Sequence, residues 1–140
     1  MSEQIIYTKK IGQWLSFAAR QGIVRINGDN YRYTDIVDYK CFEEHETIQV
    51  YDYLKVFAAK EANKYIKAPN EEDLTKSVEG LKTLKIVFKL KNKQELTVDF
   101  IGKVEERIVI GSHQYCFYKE AYEDAKKSLA IMMKGQHHGK

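Results

Sequence analysis

The chain has 140 residues, of which 44% are apolar and only one is proline. This size is typical of one domain with its own core, and the composition argues against extensive disorder. The formal charge of +3 arises from 23 basic and 20 acidic residues, so net charge gives no support for nucleic acid as a partner. We expect one domain over residues 1–134, a disordered tail over residues 135–140, and a cytoplasmic protein without a membrane-spanning segment.

The N-terminal part of the chain has the pattern of an antiparallel meander. Residues 11–19 and 21–26 are rich in apolar side chains and predict two strands. The sequence Asn-Gly-Asp-Asn at residues 27–30 tolerates positive φ and predicts a tight reversal. Residues 31–44 then predict a short strand, a kink and a longer strand.

In the middle of the chain the apolar spacing changes. From residue 50 onward apolar residues recur three or four apart, which is typical of one face of a helix. An additional helix is therefore predicted within residues 47–67, although residues 47–53 alone could also pair as a strand. Pro69 and the acidic residues after it predict a loop, and residues 74–80 form too short a segment to assign.

The clearest strand pattern lies in residues 84–91. The odd positions carry lysine or valine, and the even positions are all apolar: Leu84, Ile86, Phe88 and Leu90. A period of two predicts a strand with one buried face and one face in water. Residues 95–101 predict a second strand joined to the first by a short hairpin, and residues 107–110 predict a third.

A helix is predicted to follow these strands. Its apolar stripe runs from Tyr118 to Met133 at helical spacing, and its opposite face carries charged residues. Gly135 follows where a helix cap is expected.

Three stretches of the chain carry a resemblance to a known family. They are Tyr-Thr-Asp-Ile-Val-Asp-Tyr at residues 33–39 with Glu43 and Glu44 after it, residues 84–88 with residues 98–101 after them, and Tyr-Lys-Glu-Ala at residues 118–121. In these stretches the chain resembles a group of small bacterial and phage proteins of unknown function with a predicted pleckstrin-homology-like domain. The resemblance implies an α+β fold in which a curved, partly closed antiparallel sheet is capped by the C-terminal helix.

The chain departs from that group at two places. Residues 51–67 are charged and amphipathic, whereas the group has a glycine-rich apolar stretch there. The group often carries an added C-terminal helical module, which is not expected here because few residues follow Met133. The predicted helix in the middle of the chain is thus an addition to the pleckstrin-homology-like fold.

Five lysines cluster around the first of the C-terminal strands. They are Lys82, Lys85, Lys89, Lys91 and Lys93. An electropositive sheet face could contact an acidic protein surface, lipid phosphates or a nucleic-acid backbone. Exposed lysine also protects sheets against edge pairing, which is its more common role. The absence of arginine from the set argues against bidentate recognition of phosphate or bases.

Residues that could catalyse a reaction or bind a metal are scattered. Cys41 and His45, and likewise His113 and Cys116, lack the spacing of a zinc site. A hydrolase centred on His113 and Cys116 is not favoured, because the aromatic neighbours of Cys116 would raise its pKa and leave the thiol inert. There is no phosphate-binding loop in the sequence. We therefore expect no catalytic residue, no metal and no cofactor.

The sequence favours a non-enzymatic protein-binding module. A partner with an acidic surface would suit the five lysines, and the resemblance to phage proteins suggests that the chain binds and inhibits a host defence component. The alternative is a peripheral membrane protein that binds lipid phosphates through Lys85, Lys89 and Lys91. Nucleic acid is not expected as a partner, and a homodimer stays possible.

Overall fold

The computed structural model describes residues 4–54, 57 and 74–138. This part of the chain contains eight strands and one long helix, so the fold is α+β. The strands are β1 (Lys9–Ile11), β2 (Leu15–Ala18), β3 (Ile23–Ile26), β4 (Asp29–Arg32), β5 (Ile36–Tyr51), β6 (Thr75–Leu90), β7 (Glu95–Asp99) and β8 (Ile108–Val109), and the helix is α1 (His113–His138). A short 3₁₀ turn, Tyr33–Asp35, joins β4 to β5.

The first sheet is an antiparallel meander of β1, β2, β3 and β4 in that order. The predicted meander is thus confirmed, although the strand predicted at residues 11–19 is divided into β1 and β2 by a turn. The reversal between β3 and β4 consists of Asn27 and Gly28, whose φ angles are 53° and 92°. Positive φ at both positions is what a two-residue hairpin loop requires, and Asn-Gly is the preferred pair for it.

The second sheet has the order β5, β6, β7, and β8 pairs with β6 beyond the end of β7. β5 and β6 are each 16 residues long and pair along their length, with register shifts after Ile36 and after Glu44. Within the described residues the strands form two separate sheets and no closed barrel. The partly closed single sheet expected from the family resemblance is therefore replaced by two open sheets.

The expected helix in the middle of the chain meets the described residues only at its start. Residues 47–51 form the end of β5 and pair with residues 75–79 of β6, so the strand alternative is confirmed for this segment. Residues 74–80, too short to assign from the sequence, supply the other half of that pairing. Apart from residues 52–54 and 57, the remainder of the predicted helix lies outside the described residues.

One apolar cluster joins the two sheets and the helix. The period of two in β6 is confirmed, because its even positions are all buried: Leu84, Ile86, Phe88 and Leu90. The first sheet adds Leu15, Phe17, Val24 and Ile26 to the cluster, and α1 adds Tyr122, Ala125, Leu129 and Met132. The spacing of these helix residues by three and four places them on one face against the sheets.

Helix α1 is longer than its apolar stripe. It begins at His113, and Ser112 caps its first turn by accepting a hydrogen bond from the Tyr115 N–H at 3.1 Å. It continues through Gly135 to His138, so the cap expected at Gly135 is wrong and residues 135–138 of the expected tail are helical. Within the described part of the chain, no helix has the length and apolar character that crossing a membrane requires.

Candidate functional site

The predicted lysine cluster is dispersed in the structure. Lys85 and Lys89 lie on the outer face of the second sheet, whereas Lys91 and Lys93 lie in the β6–β7 turn. Lys93 has a φ of 70°, so it occupies the left-handed position of that turn. Lys82 lies at the bulge near the middle of β6, roughly 23 Å from Lys89 along the strand at a rise of about 3.3 Å per residue. The five lysines do not form one compact patch.

Acidic residues of the neighbouring strands lie beside the lysines of the sheet. Asp38 of β5 and Glu95 of β7 are the register partners of Lys89, and Asp99 of β7 is the register partner of Lys85. Directly opposite residues share one face of a sheet, where unlike charges attract each other. This face therefore carries both signs of charge, and the structure provides no uninterrupted positive surface there.

Lys85 has a contact within the sheet as well. Its Nζ lies 5.5 Å from the centre of the Phe42 ring, and Phe42 is its register partner on β5. A cation over an aromatic ring is attracted by the electron-rich face of the ring. Lys85 therefore covers part of an exposed apolar side chain, which is a structural role.

The outer edge of β5 is unpaired with respect to the described residues. The register shifts in this strand distort the edge, and Asp38 accepts a hydrogen bond from the Tyr39 N–H at 2.8 Å. Charged side chains, among them Lys40 and Glu44, are exposed along the strand. Bulges and charges of this kind protect an edge strand against pairing with another chain. A homodimer through this edge stays a prediction.

An open groove of about 1040 Å³ lies between both sheets and helix α1. We call it the aromatic groove. Its walls come from four separate segments: residues 12–14, the turn of Asn27 and Gly28, residues 99–106, and the first turns of α1. The sequence did not predict this site, because its walls lie far apart along the chain.

Four aromatic rings line the groove, those of Trp14, Phe100, Phe117 and Tyr118. The Trp14 ring centre lies 5.0 Å from that of Phe100, 6.1 Å from that of Tyr118 and 6.5 Å from that of Phe117. Phe100 is buried in the core, whereas Phe117 is 62% exposed. Tilted and edge-on ring contacts at these distances are favourable. The cluster is thus anchored in the core and open to solvent at Phe117.

Gly12 places Trp14 in the groove. It has a φ of 51°, and a Cβ atom at this position would lie 2.7 Å from Cζ3 of the Trp14 ring. Both the backbone conformation and the close approach of the indole require glycine here. The turn after β1 therefore allows the Trp14 ring to pack against Phe100.

The rim of the groove is acidic. Asp99, Glu105 and Glu106 line it, and Lys103 is the one basic residue among the described lining residues. The remaining polar lining residues are uncharged amides: Gln13, Asn27 and Gln114. The aromatic groove therefore combines apolar rings with an excess of negative charge.

A polar network joins β5, β6 and α1 on the inner face of the second sheet. His45 contacts Glu79 through Nδ1 at 2.6 Å and Glu43 through Nε2 at 2.7 Å. Lys119 of α1 donates to Glu43 and also pairs with Glu123 at 3.0 Å. The network links the helix to the long strand pair by charge-assisted hydrogen bonds.

These contacts shift the pKa values of the network. Hydrogen bonds to Glu79 and then to Glu43 raise the pKa of His45. Burial opposes ionisation of Glu43, but hydrogen bonds from Lys119 and His45 outweigh it and lower the pKa of this carboxyl. Burial also opposes the charge of Lys119, whose pKa is nevertheless raised by Glu43 and Glu123. The contacts therefore favour the charged form of each of these three groups.

Protonated His45 should make the folded chain more stable at mildly acidic pH. Because its pKa in the folded state lies above its ordinary value of 6.5, its contribution is complete below that pH and is lost as the pH rises through the folded pKa. Urea unfolding from about pH 6 to about pH 8, below the range in which the cysteines ionise, should show a falling free energy of unfolding. His45→Gln should remove this slope, whereas His113→Gln should leave it, and an unchanged slope in His45→Gln would contradict the assignment.

The cysteines occupy different environments. Cys41 is half-buried on β5 and contacts Tyr122, and burial raises its pKa. Burial likewise raises the pKa of Tyr122 to about 12. Cys116, by contrast, is exposed on α1. Among the residues that the structure describes, no group of three or more His, Cys, Asp or Glu side chains is arranged to hold a metal ion.

Comparison with models of known protein families, with curated proteins and with solved structures finds no match to this chain. The resemblance to pleckstrin-homology-like phage proteins therefore stays a prediction.

Proposed function

We propose that the chain is a non-enzymatic protein-binding module and that the aromatic groove is its contact site. The observation that carries this proposal is the exposure of Phe117 beside three other rings in a concave site. Large aromatic side chains are enriched among the residues that dominate binding energy at protein interfaces. The Phe117 ring already packs against neighbouring rings, so it loses little conformational freedom on binding, which favours affinity.

The surroundings of the rings support an interface. Interfaces combine an apolar centre with a polar rim, and the groove has carboxylates and amides around its rings. Its volume exceeds what a single side chain would fill, so a peptide segment or a protruding loop fits it better. The proposal includes the pleckstrin-homology-like assignment, and a host defence component is the partner that the family resemblance suggests.

Lipid-phosphate binding has weaker support than protein binding. A membrane-facing patch needs several basic residues on one surface without competing acids. Lys85 and Lys89 instead lie opposite acidic residues, and Lys91 lies in a turn beyond them. Attraction to an anionic membrane would be offset by repulsion from Asp38, Glu95 and Asp99 on the same face.

Replacing Phe117 with serine should abolish capture of the partner. The tagged chain would be incubated with a lysate of the host, and bound proteins would be identified and quantified by mass spectrometry. Removal of an exposed aromatic anchor should cost about 2 kcal/mol or more of binding, which is roughly a thirtyfold loss of affinity. Because Phe117 is mostly exposed, its loss should leave the thermal midpoint nearly unchanged.

Ile131→Ser provides the matched control. Ile131 is 73% exposed on the same helix but does not line the groove. This variant should capture the partner as the wild type does. Proteins captured equally by both variants are not groove partners, and a partner lost only from Ile131→Ser would reject the groove as the binding site.

A further inference from the structure

We infer that the aromatic groove accepts a cationic segment of its partner, with a lysine or arginine side chain placed over the rings. This inference rests on the proposed protein-binding function and adds the chemistry of the ligand. It differs from the acidic partner that the five lysines suggested, because the charged residues that line the groove are mainly acidic.

The charge of the rim is the first reason. The described lining residues include three carboxylates, Asp99, Glu105 and Glu106, and one basic residue, Lys103. Asp99 also lies opposite Lys85 in the strand register, so Glu105 and Glu106 carry the argument. No ion pair within the described part of the chain engages Glu105 or Glu106. A concave site with charge of one sign concentrates ions of the opposite sign more strongly than a flat surface does. A cationic ligand would therefore gain attraction from carboxylates that have no basic neighbour bound to them.

The rings are the second reason. A cation within about 6 Å of an aromatic face is attracted to it, most strongly when the ring is tryptophan. Trp14 lines the groove together with Phe117 and Tyr118. An arginine or lysine in the groove would lie beside these rings and the carboxylates at once. Arginine suits the site best, since its flat guanidinium can stack on a ring and donate to a carboxylate.

An anionic ligand is the competing possibility, because the N-terminus of α1 borders the groove. A helix N-terminus is equivalent to about half a positive charge. One of its free N–H groups, that of Tyr115, is already bound by the Ser112 hydroxyl. The excess of carboxylates over Lys103 exceeds half a charge, so the field at the rim favours cations.

Fluorescence of Trp14 tests the inference directly, because Trp14 is the only tryptophan of the chain and lines the groove. The probe is a short acetylated and amidated peptide of alternating arginine and leucine, titrated at low ionic strength. The matched probe has glutamate in place of arginine. We expect a saturable change of emission with the arginine peptide alone, and an affinity that falls as salt is added.

Variants separate specific charge recognition from general attraction. Glu105→Gln combined with Glu106→Gln should weaken binding of the arginine peptide about tenfold. Glu44→Gln combined with Glu95→Gln removes two exposed carboxylates outside the groove and should leave the affinity unchanged. Equal or tighter binding of the glutamate peptide, or equal losses in the two double variants, would overturn the inference.

Failure of the cationic-ligand inference and failure of the proposed protein-binding site would give different results. If capture of a partner depends on Phe117 but not on Glu105 and Glu106, and the arginine peptide does not bind, the groove binds protein and the cationic inference is wrong. If neither Phe117→Ser nor the rim variant changes capture, the proposed binding site itself is wrong.

Discussion

Replacing Phe88 with aspartate is expected to prevent the chain from folding. The Phe88 side chain is fully buried near the end of β6, where its register partners are Tyr39 and Leu96. Its ring centre lies 6.4 Å from that of Tyr39. Loss of a buried phenylalanine costs about 3–5 kcal/mol, and burial of an unpaired carboxylate adds several more. That total approaches the whole stability of a typical domain, which is about 5–15 kcal/mol.

Circular dichroism and thermal unfolding would measure this effect. The control is Thr97→Asp, which places the same charge at an exposed position of β7 on the outer face of the sheet. An exposed strand substitution changes stability by about 1 kcal/mol or less, so the control should fold. A cooperative thermal transition in Phe88→Asp near that of the wild type would show that this face of β6 is not the core.

Local patterns predicted the parts of the fold that local forces determine. The alternation in β6 follows from burial of one strand face, and the structure buries that face as expected. Asn27 and Gly28 form the predicted reversal because few other pairs adopt positive φ at both positions. The helix face from Tyr122 to Met132 is buried for the same kind of reason, its spacing by three and four.

The parts of the fold that the sequence did not predict depend on pairing between segments that are distant along the chain. Residues 47–51 lie at the start of the predicted helix, with a strand as the alternative, and they form a strand because they pair with residues 75–79. Tertiary context overrides local preference in such a case. The period of two in β6 was visible only in its second half, since residues 75–79 carry too few apolar side chains to show it.

The candidate site depended on the same long-range information. The sequence identified the lysines but not their register partners, which are Asp38, Glu95 and Asp99. The spacing of residues within one strand does not determine its register with the next strand. The aromatic groove brings together Trp14 and Phe117 from opposite ends of the chain. One available clue was the single tryptophan, two residues after Gly12, in an interrupted strand pattern.

Replacing Gly80 with a larger residue is expected to destabilise the fold strongly, because of packing that the sequence did not reveal. Gly80 is buried in β6, where it pairs with Glu46 of β5 on one side and with Val109 of β8 on the other. A Cβ atom at this position would lie 2.8 Å from Cδ1 and 3.1 Å from both Cγ atoms of Ile48. Ile48 is itself buried, so its branched side chain has little space into which it can move.

Gly80→Val should therefore lower the free energy of unfolding by about 2 kcal/mol. Overpacking costs about 1–3 kcal/mol, which outweighs the gain of at most about 1 kcal/mol from valine's preference for strands. Urea unfolding monitored by circular dichroism measures the change. Gly135→Ala is the control, because nothing lies near that position on α1 and alanine favours a helix, so this variant should be unchanged or slightly more stable.

Combining Gly80→Val with Ile48→Ala identifies the cause of the loss. Ile48→Ala alone should cost about 2–5 kcal/mol, because it removes a buried side chain. If the clash with Ile48 is the cause, the double variant should be no less stable than Ile48→Ala, since valine then fills the space that isoleucine leaves. Additive losses would place the strain in the backbone between β5 and β8 instead, and the close approach of Ile48 would then not explain why glycine stands at this position.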